Sequence, residues 1–191
     1  MKHWIGQICG LMCCLLVITG CFNLRPVEPP GTGNSDWVSP TDYPILLENL
    51  RNALAQGNTQ NYLRCFNQEN LQFQPAPSLL NDNESIWRNW SLQDEQAYFD
   101  NMLADLETSS GNSLSLIEQD LQDVSADSLR YVGAYTLRIN HKDTALTQEF
   151  TGRMQLVMEL NEFNEWAIRR WVDIEVNEDS SWSLLKLRYV Q

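Results

Sequence analysis

From Asn112 onward the apolar residues fall on every second position. That period of two constrains the fold more than any other feature, because a β-strand sends successive side chains to opposite faces of its sheet. Leu114 and Leu116 begin a first strand. In a second, Leu129, Tyr131, Gly133, Tyr135, Leu137 and Ile139 share one face, and Arg130, Val132, Ala134, Thr136 and Arg138 take the other. Past a turn at Asn140–Asp143, Leu146, Phe150, Gly152, Met154, Leu156, Met158 and Leu160 repeat the pattern. Asn161–Glu165 turns the chain into Trp166–Ile174, and a last strand is expected from Trp182 to Val190. Strands of about a dozen residues exceed the usual length, which predicts a strongly curved sheet. Gly133 and Gly152 stand where interior glycines mark bends or bulges.

Helical signals precede the strands. Thr41 or Asp42 caps, Pro44 fits a first turn, and Leu46, Leu47, Leu50 and Leu54 recur at helical spacing until Gly57 stops them. A short helix follows Thr59 with Tyr62, Leu63 and Phe66 on it. Leu71–Gln74 alternates as a brief strand ended by Pro75 and Pro77, and Asn81–Asn89 reads as a polar loop. Ser91-Leu92-Gln93-Asp94 is a capping box with Asp in place of Glu. Its helix aligns Phe99, Met102, Leu103 and Leu106 and is expected to end near Ser109-Ser110-Gly111. Helices first and a meander afterwards is an α+β order. The expected architecture is N-terminal helices packed on a strongly curved antiparallel or mixed sheet that forms a cone.

The first twenty residues have the layout of a secretory signal, Lys2 and His3 followed by an apolar run through Leu11, Leu15, Leu16, Val17 and Ile18. Ile18-Thr19-Gly20-Cys21 resembles the bacterial lipobox. That resemblance implies cleavage after Gly20, a signal peptide over 1–20 and a lipid-modified Cys21. Two or more acyl chains hold a protein on a bilayer where one does so only marginally. The alternative is an uncleaved signal anchor, since Trp4–Phe22 is roughly the length of a membrane span. Residues 21–41, rich in Pro and Gly, read as a lipidated cysteine with a disordered tether, and residues 42–191 as one domain. Phe22, rather than Asp, follows the cysteine, so outer-membrane sorting with a periplasmic face is expected; in a single-membrane bacterium the domain would sit at the cell surface.

Thirteen Lys and Arg against 25 Asp and Glu give a net charge of −12. An acidic surface repels nucleic acid, so no nucleic-acid partner is expected. With the signal removed and Cys21 acylated, Cys65 is the remaining cysteine, and its apolar neighbours make it a buried hydrophobe rather than a nucleophile. No metal-ligand spacing, phosphate loop or dinucleotide fingerprint stands in the chain, so neither a metal nor a cofactor is expected. His141 falls in the Asn140–Asp143 turn and is expected to be exposed there.

Tyr62-Leu63-Arg64-Cys65-Phe66, the closing Trp166-x-Ile168-x-x-Trp171-x-Asp173 and Trp182-Ser183-Leu184-Leu185-Lys186 resemble the nuclear transport factor two-like, or SnoaL-like, superfamily over about Asp42 to Gln191. Lipocalin-like and cystatin-like folds share the same coarse pattern. The resemblance implies a cone-shaped α+β domain. Members include isomerases, dehydratases, cyclases and epoxide hydrolases alongside noncatalytic binding and assembly domains, and fold alone does not choose among them. In the enzymes a pocket Asp or His serves as general base.

Asp173 is the best carboxylate for that role, lying in an apolar strand beside Trp171. Its parity, opposite to Ile168, Val172 and Ile174, equally allows it to face water or pair with Arg169. Arg170 shares parity with Trp166 and Ile168 and so points to the cavity unless a bulge intervenes. Tyr62, Tyr131 and Tyr135 stand where pocket walls would be, or pack as core. Three readings follow. One is an envelope-anchored noncatalytic module binding a protein partner or a small apolar ligand in its cone. Another is a small isomerase, dehydratase or hydrolase using Asp173. The third is a structural subunit docking through strand edges or through Trp87 and Trp90.

Overall fold

A computed structural model describes residues 37–81, 83–107 and 111–191. The expected signal peptide, the expected lipid-attachment residue Cys21 and the expected tether up to residue 36 lie outside them.

Helix α1 (Tyr43–Gln56) starts at Asp42, whose carboxylate accepts the Tyr43 amide, and ends at Gly57 in the left-handed region. Its buried stripe is Leu46, Leu47, Asn49, Leu50, Ala53 and Leu54. Asn49 is there for a reason the apolar period hides: its amide accepts from the Val38 amide at 3.1 Å and donates to the Val38 carbonyl at 2.6 Å. The Trp166 amide donates to Pro40, and the Trp37 ring lies under the Arg64 guanidinium at 4.1 Å. Residues 37–40, which composition assigned to the tether, are therefore packed onto the domain.

Helix α2 (Thr59–Arg64) is capped by Asn58 and leads through Cys65 into strand β1 (Gln72–Gln74). Cys65 is buried, its thiol directed at the Asn61 carbonyl. The segment expected as a polar loop instead holds two short helices, α3 (Pro77–Leu80) and α4 (Glu84–Trp87). They fold because Trp87 and Trp90 are buried against Phe73, which also removes both tryptophans as an exposed docking patch. Helix α5 (Leu92–Ala104) opens with the expected capping box, Ser91 and Asp94 bonding reciprocally. It stops short of Ser109–Gly111. Past Ala104 the backbone turns to pair with the loop after β3, Glu107 donating to Asn140 and Lys142 to Asp105.

Four long antiparallel strands follow: β2 (Ser113–Ser125), β3 (Ser128–Arg138), β4 (Glu149–Leu160) and β5 (Trp166–Glu175). The sheet order is β1-β5-β4-β3-β2, with β1 parallel to β5. Curvature comes from bulges at three register shifts, near Gln119 and Val124 in β2 and at Arg169 in β5. Gly133 faces the first β2 bulge, its partner Glu118 flanking the shift at Gln119, whereas Gly152 stands at none. They make room for rings: a Cβ on Gly133 would come within 2.7 Å of the Tyr131 ring, and one on Gly152 within 2.7 Å of the Tyr135 ring. His141 is not exposed either; it is 1% accessible, tucked between the Phe150 and Tyr189 rings with Nε2 at 2.8 Å from the Thr147 carbonyl.

The chain ends differently from expectation. Residues 182–190 are not a strand but helix α6 (Trp182–Tyr189), capped by the Ser181 hydroxyl, which accepts the Leu184 amide. Its buried residues, Trp182, Ser183, Leu185, Lys186 and Tyr189, fall at i, i+1, i+3, i+4 and i+7, a helical face. Leu, Lys and Arg are good helix formers, and the cap sets the start. The result is a cone-like α+β fold whose curved sheet wraps helices α1, α2, α5 and α6. No helix among the described residues is long and apolar enough to cross a membrane.

Candidate functional site

The inner face of the cone carries the polar groups that chemistry would need, and α6 seals them in. Asp173 points inward, fully buried, because the bulge at Arg169 reverses the parity of β5 after Ile168. Its Oδ1 accepts the Tyr135 hydroxyl at 2.9 Å. Its Oδ2 accepts both the amide and the hydroxyl of Ser183, at 2.7 and 2.6 Å. Tyr135 in turn accepts the Trp182 amide at 2.7 Å, and Ser183 accepts the Ala76 amide at 2.9 Å. Burial pushes the Asp173 carboxyl above its ordinary range, opposed by the Ser183 and Tyr135 bonds and the Lys186 charge.

The same bulge turns Arg170 outward, where it donates to Gln74 at 3.0 Å instead of entering the cavity. Arg169 pairs with Glu159 at 2.6 Å, not with Asp173.

A second buried cluster sits beside the first. Lys186 on α6 and Glu95 on α5 form an ion pair, 0% and 1% accessible. Glu95 also accepts Tyr62 at 2.5 Å and the Trp90 indole at 2.7 Å. The Lys186 ammonium lies 4.2 Å from the ring centroids of Phe73 and Trp171, 5.2 Å from Tyr98 and 5.3 Å from Trp90. Desolvation lowers the Lys186 pKa, and the Glu95 and Asp173 charges pull it back. Tyr98 accepts the Trp182 indole at 3.0 Å. Burial, then Glu95, raises the phenols of Tyr62 and Tyr98; burial, then Asp173, raises that of Tyr135.

Of the residues singled out from sequence, Tyr135 and Asp173 come together in one hydrogen bond, and Tyr62 joins the neighbouring Lys186–Glu95 cluster. Tyr131 lies apart, on the same inner face but toward α1, its phenol raised mainly by burial and then by Glu118. Sequence reading missed Glu95, Tyr98, Ser183 and Lys186. Glu95 shares a helical face with Tyr98, Phe99 and Met102; beside Asp94 it passes for an ordinary first-turn acid. Lys186 is one helical turn from Trp182, a signal erased once α6 is taken for a strand.

The surface offers concavities elsewhere. One groove of about 410 Å³ runs between Trp37, Arg64, Phe66 and the turn carrying Asn161 and Phe163, with Phe163 73% accessible. Among the described residues no three His, Cys, Asp or Glu side chains gather as around a metal ion.

Solved structures with this architecture are numerous. An NTF-2-like protein of unknown function from Shewanella oneidensis is 21% identical with a TM-score of 0.52, the match covering 68% of this chain and 93% of that one. A conserved protein from Planctomyces limnophilus is 9% identical with a TM-score of 0.55, over 69% and 91%. A ketosteroid isomerase-like protein from Erwinia carotovora is 8% identical with a TM-score of 0.50, over 69% and 90%. The fold is thus the NTF-2-like cone. No protein-family model matches the sequence, and no curated protein matches it.

Proposed function

We propose that this chain is a cell-envelope lipoprotein, held on a membrane by lipid on Cys21, whose NTF-2-like domain is a noncatalytic binding or interaction module engaging its ligand or partner outside the cone. The filled cone carries the noncatalytic half. A general base must reach a substrate proton, yet both oxygens of Asp173 are occupied by Tyr135 and Ser183 beneath α6. An apolar ligand has no room there either, because Trp171, Trp182, Tyr98 and Lys186 occupy the interior. The groove between Trp37, Arg64 and Phe163 is a concave surface with both aromatic and polar walls.

Amide-resonance mapping with small apolar and aromatic probes tests this. Binding should move Arg64 and Phe163 and leave Tyr135, Asp173 and Trp182 unmoved; a probe that moves the latter set opens the cone and returns the enzyme reading. For the anchor, Cys21→Ala should release the chain from the membrane fraction, and the mature wild-type chain should carry diacylglyceryl mass on Cys21. Retention of an intact residue 1–20 would refute it.

A second reading, a structural subunit docking by its strand edge, is favoured by one observation. Strand β2 pairs with β3 alone among the described strands, and its Ile117 and Val124 are 66% and 62% accessible. Stoichiometric capture of an envelope partner that Ile117→Lys abolishes would select it.

A further inference from the structure

We propose that the interior of the cone is a receptor for a primary ammonium group, and that this chain supplies the ligand itself, as Lys186. The geometry is that of a cation site. Four aromatic faces, from Phe73, Trp90, Tyr98 and Trp171, surround the Lys186 nitrogen at 4.2–5.3 Å, inside the range where a ring quadrupole attracts a cation. Glu95 meets it directly, and the charge of Asp173 acts on it from the neighbouring cluster. The receptor walls come from β1, α5, β5 and the segment before α5, so every part except the cation lies outside α6.

The walls are also held in place independently of the cation. Tyr62 and the Trp90 indole orient Glu95 from two sides, Trp171 stacks on Phe66 and meets Phe73 and Trp182 edge to face, and Asp173 is fixed by Tyr135. Removing the lysine stem therefore leaves a shaped cavity with the Glu95 carboxylate in its wall, the charge of Asp173 close by and no cation, and such a cavity selects an ammonium over a neutral molecule of equal size.

The test is chemical rescue in the full chain. Lys186→Ala deletes the side chain beyond Cβ, and n-propylammonium replaces those atoms one for one, with 1-propanol as the neutral match. Propylammonium should raise the Tm of Lys186→Ala saturably and bind on the order of tenfold or more tighter than 1-propanol. Wild type, its site filled, should show no shift, nor should Lys186→Met, whose stem refills the space. If Lys186→Ala is unfolded in buffer, recovery of the folded signal with propylammonium and not with propanol is the same result. Glu95→Gln combined with Lys186→Ala should lose most of the preference. Equal rescue by propanol, rescue by neither, an equal shift in wild type, or a preference undiminished in the double variant would each overturn the proposal.

Discussion

The inside of the cone and the β2 edge use the same residue types to opposite effect. Both place carboxylates beside tyrosines and cations. On β2, Asp120 meets Arg130 at 3.1 Å, and Glu118 meets the Tyr43 hydroxyl at 3.1 Å, with water on one side of each. In the cone, Glu95 and Asp173 make comparable bonds at 1% and 0% solvent accessibility. Exposed pairs contribute little because water already solvates both partners. Buried ones cost several kcal/mol to desolvate, so each is tolerable only with its partners complete. The polar groups of the cone are thus bonded to one another, Asp173 to Tyr135 and Ser183, and Glu95 to Lys186.

Alkali should break the contrast most completely. The phenols of Tyr62, Tyr98 and Tyr135 are raised by burial, so the folded chain keeps protons that the unfolded chain releases near pH 10. Stability from these groups is whole below about pH 10 and is lost as pH climbs above it. Phenolate absorbance should stay low through the ordinary tyrosine range and then rise together with loss of the near-ultraviolet circular dichroism of folded aromatics. Phenolate appearing near pH 10 in a chain that remains folded would show those hydroxyls to be wet.

Glu95→Ala leaves the Lys186 ammonium buried without its partner and should cost about 3–5 kcal/mol in urea unfolding. Asp173→Ala strips the acceptor from Tyr135 and Ser183 and should cost about 1–3 kcal/mol, with Asp173→Asn milder because an oxygen remains. Gly152→Ala drives a methyl into the Tyr135 ring and should also cost about 1–3 kcal/mol. Asp120→Asn on β2 should fall within about 1 kcal/mol of wild type. If Asp120→Asn proved as costly as Asp173→Ala, burial would not be what separates the two regions.

Much of this architecture was legible from periodicity. The inner faces of β3 and β4, from Leu129 to Leu137 and from Phe150 to Met158, are as the alternation predicts, as are the caps at Asp42, Gly57 and Ser91. What period cannot encode is a bulge. One extra residue at Arg169 exchanges the faces of Arg170 and Asp173, so the arginine expected in the cavity is outside, and Asp173, whose parity left open water or Arg169 as well as the cavity, is inside. Residues 182–190 were misread for a related reason: Trp182, Leu184 and Leu185 fit either period in a stretch so short, and Ser181 as cap was the cue that decides it. Buried Glu95 and Lys186 were invisible because charge is normally read as exposure, and the partners that make their burial tolerable, each other, Tyr62, Trp90 and the surrounding rings, are brought together only by the fold.

The most direct test of a sealed cone is native-state amide hydrogen exchange at Trp182 and Ser183, whose amides donate to the Tyr135 hydroxyl and to Asp173. If α6 is a fixed part of the core, both should exchange only through global unfolding, with the same opening free energy as the central β4 amides. Exchange much faster than β4 in the folded chain would make α6 a lid over an accessible site, and would contradict the reading of the cone as filled.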